Sequence, residues 1–488
     1  MKPAKNNFSP LTSYLSLLTT HFSPLTSYLS RLMSHPGVRR YGINTAWLFS
    51  EQILRMIAGF LVGVWVARYL GPEKFGLLSY ALAFVSIFQG IAKLGLDGIV
   101  VRDLVQEPEK RDVYLGTSFW LKLLGGIITF LIITIILVVQ SLLTSHFSPL
   151  TSHFSLLTSH LSPLTSHFFT ETNIYILIIA FGIIFQSFEV IDFYYQATVQ
   201  AKYISIRRII QLILSSIIKI FLVLIGADLI WFVLVSLFDI ISLSIMGWLI
   251  YRSQGLPNFV RYFDIEIGKK LLKDSWPLLL SGIAIMIQAR IDQIMLKQFI
   301  GLRELGNYVV ALNIIDVLGF VPMILHQSLL PAIVDAKKKS KDIYYNRLLD
   351  YYRLMFSLFL IAFIILFFCG DIIIRLLYGS KYEIASQIIS LIAFRLFFAN
   401  MGVAKSAFIT TENLFRYSLL TSIAGAILNV TLNYILIPQF KSIGAILSSF
   451  ISFFITIFLF DFFYSRTRIN FILMMQAILT FYRIRFKI

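Results

Sequence analysis

The chain has 488 residues, 58% hydrophobic and only 14% charged, with a formal charge of +17. Soluble globular chains are about 45–50% apolar and about 25% charged, so there is too little polar surface here to cover a water-soluble body, and a bilayer must solvate much of the molecule. In a soluble protein the basic balance would raise nucleic acid as a partner; in a membrane chain it is read as the Lys/Arg excess of cytoplasmic loops, and no nucleic acid is expected.

Taken in order, residues 1–40 are low-complexity, with a worn seven-residue repeat (LTSYLSL, LTTHFSP, LTSYLSR) beginning at Leu11. A cleaner copy, LTSHFSP, LTSHFSL, LTSHLSP, LTSHF, occupies residues 143–168 within an insert at 141–168. The recurrent Ser-Pro and the missing charged flanks argue against a coiled coil despite the period. A seven-nucleotide tandem repeat read through would give this pattern, since three copies make seven codons; a gene without that period would sink the hypothesis. Both segments are expected to be functionally idle, with Met33 as the ancestral start, and their histidines (His21, His146, His153, His160, His167) are set aside as metal ligands. Residues 1–40 lack an apolar core followed by a small-residue cleavage site, so the first span is expected to act as its own insertion signal. Cys369 is the single cysteine, which excludes an intrachain disulfide and suggests no thiol metal site.

Apolar runs long enough to cross about 30 Å of hydrocarbon fall near 44–66, 75–96, 116–140, 172–194, 204–226 and 229–251. After a basic linker at 252–273 come 274–297, 305–331, 351–369, 384–408, 415–437 and 443–464. This predicts an all-α, polytopic membrane protein of twelve helices, with bundles at 41–251 and 274–464. The tail, 465–488, is short, apolar and flanked by Arg and Lys, which predicts an interfacial helix. With the N-terminus in the cytoplasm, the cytoplasmic pieces hold 28 Lys+Arg and the outward loops 7. That bias predicts both termini inside and the repeat insert outside.

Gly71-Pro-Glu-Lys-Phe-Gly76 aligns with Gly301-Leu-Arg-Glu-Leu-Gly306 at an offset of 230, continuing through Ala81-Leu82 and Ala311-Leu312. Met56-Ile57 and Met286-Ile287 extend it backwards, and spans 5 and 11 echo one another at an offset near 210. The same-sense halves predict a parallel repeat about a pseudo-twofold along the membrane normal, the arrangement in which transporters bind substrate between halves.

Seven basic residues remain within the spans. Lys93 and Lys405 are near enough to span ends to snorkel. The other five are Arg55, Lys122, Lys219, Arg290 and Arg395, each costing about 2.5–3.5 kcal/mol at a bilayer centre, so most should face a polar interior. Against this, Glu51 and Arg55 are spaced i, i+4 with the acid first, as in an intrahelical pair, and Lys122 is close enough to a span end to snorkel in part. Arg290 and Asp292 lie on different helix faces, and Arg395 has no acid nearby on its own helix. Asp192, Asp239, Asp292 and Asp316 are the buried acids, candidates to pair with the cations or to hold a coupling proton or sodium ion. Pro277, Gly282 and Pro322 mark sites of bending. A cationic cavity suits an anionic, phosphate-bearing ligand, for which arginine forks are well shaped.

The run Ala67-Arg-Tyr-Leu-Gly-Pro-Glu-Lys-Phe-Gly-Leu-Leu-Ser-Tyr80, leading to Lys93-Leu-Gly-Leu-Asp97, resembles the bacterial O-antigen-type polysaccharide flippases of the multidrug/oligosaccharidyl-lipid/polysaccharide exporter superfamily. With Asn44 and the Leu-Gly-Pro-Glu-x-Phe-Gly turn as its most specific features, the likeness covers residues 40 to about 465, and both repeats depart from it. The resemblance implies two six-helix bundles around a central cavity in the cytoplasmic membrane. It implies movement of an undecaprenyl-diphosphate-linked glycan to the outer leaflet, driven by cation antiport, without cofactor or enzymatic step, alongside polysaccharide polymerase and export proteins. Cavity bases of the type of Arg55, Arg290 and Arg395 would hold the diphosphate. A drug or cation antiporter of the same superfamily would need a dominant acidic site, and a membrane glycosyltransferase or polymerase sizeable catalytic loops. A peptidoglycan-precursor flippase would usually carry fourteen spans.

Overall fold

The computed structural model describes residues 36–147 and 170–483. The two repeat segments lie outside the described residues, apart from the first residues of the insert. Regular structure among the described residues is entirely helical. In chain order the helices are α1 (Pro36–Lys93), α2 (Asp97–Gln106), α3 (Arg111–Phe147), α4 (Glu171–Phe185), α5 (Val190–Ala197), α6 (Ala201–Leu224) and α7 (Leu229–Ser253). Then follow α8 (Ile265–Phe299), α9 (Leu302–Leu318), α10 (Phe320–Lys339), α11 (Lys341–Tyr378), α12 (Glu383–Ile392), α13 (Arg395–Thr411), α14 (Phe415–Phe454), α15 (Phe460–Phe463) and α16 (Arg468–Leu479).

Among the described residues, eight helical stretches are long and apolar enough to cross a membrane, or nine when the pair across the 49° bend between Ile392 and Arg395 counts as one broken span. Two of these hold two crossings each, because α1 breaks at Gly71 (φ 72°) and α14 at Lys441 (φ 54°). The twelfth is α6, which carries too many charges to pass as apolar and is inverted relative to a soluble helix. Ser205, Arg207, Gln211 and Ser215 are buried while Ile210, Ile213, Leu214, Ile217 and Phe221 are exposed. That is the distribution lipid selects, since only the bundle interior can satisfy the polar groups. The α6 N-terminus is capped from the first span, where Asn44 Oδ1 accepts the Ala201 N–H at 2.5 Å.

The largest apolar core runs across both halves, from Val64, Leu78 and Tyr80 to Tyr308, Ile389 and Ile446. It is anchored at the end bearing Gly71 and Gly301. There a Cβ on Gly76 would sit 2.1 Å from the Leu302 carbonyl oxygen, and one on Gly306 1.9 Å from that of Pro72. Pro72 and Leu302 are themselves equivalent at the offset of 230, so the contact is reciprocal and lies on the pseudo-twofold. Tyr382 Oη donates to the Ala67 carbonyl at 2.6 Å and Arg68 to that of Leu376 at 3.4 Å, completing the closure.

At the opposite end the linker is strapped to the first half. Trp120 Nε1 donates to the Val260 carbonyl at 2.9 Å, Thr117 Oγ1 accepts the Asp264 N–H at 3.0 Å, and Arg102 pairs with Asp274 at 3.0 Å. Asp264 also caps α8 by accepting from Glu266 and Ile267. Pro277 stays inside a continuous α8, and the break in span 8 falls at Gly319, three residues before Pro322. The tail helix α16 is bound into the second half rather than merely laid on an interface: Leu473, Met474, Ala477 and Asn470 are buried, and Tyr352 Oη donates to Asn470 Oδ1.

Candidate functional site

Two cavities meet at Arg55. The first lies inside the N-terminal bundle, about 280 Å³, between α1, the turn Gln186–Glu189, α5, α6 and α7, with Arg55, Glu189, Asp192, Arg207, Arg208 and Ser244 among its lining. Two guanidinium groups converge on Asp192: Arg207 Nη2 on one oxygen and Arg208 Nη2 on the other at 3.1 Å. Glu51 is held by Arg55 one turn along and lies 3.8 Å from Arg208. Lys122 is buried and donates to Glu189 at 2.9 Å, its ammonium 5.0 Å from the Phe193 ring centre. Lys219 pairs with Asp239 at 3.0 Å, which also accepts from Gln211 at 2.8 Å.

The second cavity, about 370 Å³, lies between the halves, where α1 from Arg55 to Val64 faces Asn313, Asp316 and Phe320. It adjoins a small cleft of about 30 Å³ between the other parts of spans 1 and 8, where Leu48, Phe49, Met323 and Ile324 stand beside Gln52 and Gln327, with Phe320 common to both. Asp316 makes no ion pair among the described residues, and the opposite charges that act on it are Arg395 and Arg290. Arg290, half-buried, forms no ion pair or hydrogen bond with any described residue.

The structure sorts the expected bases by their partners. Arg395 is not a free cavity cation: Asp292, on another helix and fully buried, pairs with it at 3.4 Å. Tyr308 Oη donates to the same carboxylate at 2.5 Å, and the guanidinium lies 5.6 Å from the Phe453 ring centre. Sequence showed no acid on the same helix; the partner comes from tertiary packing. Lys122 likewise does not snorkel. Nor does Lys405, whose buried ammonium donates to Asp461 at 2.6 Å and to the Thr456 and Ile457 carbonyls at 2.9 and 3.2 Å. Those carbonyls are freed by the π-helical turn Ile455–Leu459. Arg55, a base expected near mid-span, lies where the two cavities meet.

Sequence reading passes over three residues of the first cavity: Arg207, Arg208 and Glu189. The arginines stand in the first turns of span 5 and count there as loop charges. The legible signal is the stripe Arg207, Gln211, Ser215, Lys219 at a spacing of four, which marks one helix face. Glu189 is hidden in a 3₁₀ turn at the membrane-buried part of span 4, where helical periodicity slips. No cluster of three or more His, Cys, Asp or Glu suited to a metal occurs among the described residues.

Twelve membrane-length helical segments among the described residues, in two same-sense halves closed at one end about a pseudo-twofold and enclosing charged cavities, define a multi-pass membrane protein. Solved structures share that architecture at low identity. An inward-facing multidrug-resistance MATE family transporter of the MOP superfamily is 17% identical over 85% of this chain and 94% of its own, with a TM-score of 0.63. The lipid II flippase MurJ, in an inward closed conformation, is 16% identical over 90% and 91%, with a TM-score of 0.61. A MOP superfamily transporter from Pyrococcus furiosus, described by the reverse polarity of its binding pocket, is 15% identical over 88% and 95%, with a TM-score of 0.54. No curated protein sequence matches the chain. Residues 42–337, more than half the chain, match the family model described as polysaccharide biosynthesis protein, and the chain belongs to that family.

Proposed function

We propose that the chain is a flippase that carries a lipid-diphosphate-linked oligosaccharide from the cytoplasmic to the outer leaflet of the bacterial inner membrane, feeding polysaccharide polymerase and export proteins. The basic loops support a cytoplasmic position for the linker end and both termini. The reciprocal glycine contact then closes the outer side. The observation that carries the reading is Arg55, a guanidinium near mid-span whose side chain is 42% exposed and lines both cavities. Bases exposed at this depth mark an anionic cargo. The lipid tail can stay in the bilayer while the polar group enters. A multidrug or cation antiporter would instead need its cavity dominated by acids.

The test is depletion of the protein followed by analysis of lipid-linked glycans in each leaflet. The expected result is one species accumulating on the inner side; no accumulation of any species removes the flippase reading. Arg290→Ala should fold to wild-type levels and lose at least about tenfold in export, because Arg290 forms no ion pair or hydrogen bond with any described residue. Export equal to wild type would remove Arg290 from the site.

A further inference from the structure

We infer that the cavity between the halves is a sugar-binding subsite, in which Asn313 and Asp316 hold the hydroxyls of one uncharged ring of the cargo and the bare backbone at Gly59 and Gly63 leaves room for it. The inference rests on the flippase reading and gives the glycan, rather than the anionic group, its place. Arg55, Gly59 and Gly63 follow one another at a spacing of four and share one face of span 1. Glycine weakens a helix interior, and between membrane helices its ordinary use is to let two backbones approach closely. Gly76 and Gly306 are used in that way, but a Cβ on Gly59 or Gly63 would meet nothing within 4 Å. What these two positions provide is open volume, and both line the cavity of about 370 Å³.

The opposite wall is polar. Asp316 is exposed and Asn313 half-buried, both line the cavity, and neither side chain holds a hydrogen bond or ion pair with any described residue. The charged lining is one base, Arg55, and one acid, Asp316, with Arg290 and Arg395 acting on the acid from outside it. A neutral occupant leaves these charges as they are, whereas a phosphate seated here would be repelled by the Asp316 carboxylate. A carboxylate accepts from two hydroxyls, and a carboxamide both donates and accepts. That set matches the hydroxyl groups of a sugar ring, while Phe60 and Phe320 offer apolar surface to its C–H face. The pseudo-twofold supplies an internal comparison. At the offset of 230, Gly59 and Gly63 correspond to Ala289 and Gln293, and Asn313 and Asp316 to Ala83 and Ser86. There Gln293 and Ala83 are buried, and a Cβ on Gly90 would lie 3.0 Å from Ile283 Cγ1, so spans 2 and 7 pack together where the cavity separates spans 1 and 8. The cavity is therefore set by its side chains and not by the repeated fold.

The experiment uses the full chain in nanodiscs, with farnesyl diphosphate linked to glucose, galactose or N-acetylglucosamine as probes. The methyl ester of farnesyl diphosphate, which carries the same diester charge without a ring, is the reference, and affinities are read by calorimetry. The wild type should bind at least one sugar-bearing probe about tenfold or more tightly than the methyl ester, and Gly63→Leu and Asp316→Ala should each reduce that preference to within about threefold. Gly59→Ala and Gly63→Ala should keep or raise the thermal midpoint, because the added methyl groups meet nothing, and should reduce the preference in part. A purely structural role for these glycines would lower the midpoint instead and overturn the inference. Gly98→Leu, at an exposed helical glycine outside the cavity where a Cβ likewise meets nothing, should keep the wild-type preference. Wild-type preference in both Gly63→Leu and Asp316→Ala, or a wild type that binds every sugar-bearing probe no better than the methyl ester, overturns the inference and leaves the flippase reading standing. Absence of binding of any probe by the wild type overturns both.

Discussion

Lys405 and Asp461 show how a base that reads in sequence as snorkelling at a span end can be a buried structural partner in the fold. Asp461 accepts from Lys405, from Tyr417 Oη at 2.6 Å and from Asn470 Nδ2 at 2.7 Å, so a single buried carboxylate ties spans 10, 11 and 12 to the tail helix. Removing one member strands the other in an apolar interior, at a cost of about 3–5 kcal/mol. Lys405→Met should therefore lower the thermal midpoint and folded yield markedly, and Lys405→Met with Asp461→Leu should recover part of the loss. Equal stability of single variant and wild type, read by fluorescence-detected thermal unfolding, would contradict this. Arg395 belongs to the same category and Arg290 does not, a distinction invisible along the chain because Asp292 is 103 residues from Arg395 and only two from Arg290.

At the scale of elements, the contact between the Gly71–Gly76 and Gly301–Gly306 turns closes the two halves at one end of the molecule. A methyl group at position 306 cannot fit against the Pro72 carbonyl without separating the halves. In a cysteine-free background, Gly306→Ala should raise labelling of Val64→Cys by a membrane-impermeant maleimide several-fold over the same chain with glycine; unchanged labelling would show that the turns relax in place. The elements themselves were largely readable in the sequence: twelve apolar runs, the basic linker and the offset of 230 all correspond to helices, strap and pseudo-symmetric turns. What sequence could not supply was which face of each helix points inward. Apolar content does not distinguish a lipid-facing isoleucine of α6 from a buried one, and the tail helix reads as interfacial because Asn470 gives no sign of its buried partners. The candidate site was half legible for that reason: base types and approximate depths were apparent, but pairing across helices decides which of them face a cavity.

For the whole molecule, the sign of the cargo has energetic weight. With the cytoplasm negative, moving each elementary charge through 100 mV is worth about 2.3 kcal/mol, so the anionic headgroup proposed as cargo would move with the potential on its way outward. In proteoliposomes, an inside-negative potential should accelerate outward movement of a diphosphate-linked probe and an inside-positive one slow it; rates indifferent to potential would indicate compensating movement of protein charge.

The reciprocal glycine contact also carries history. Position 76 of one half meets position 302 of the other, and position 306 meets position 72, which is the pattern of a self-complementary interface in a twofold dimer. Six spans, an even number, return each half to the side where it began, so two copies joined end to end insert with the same sense. The single chain retains the seam of two subunits, and substitutions that a dimer would suffer twice can now be made once, in either half alone.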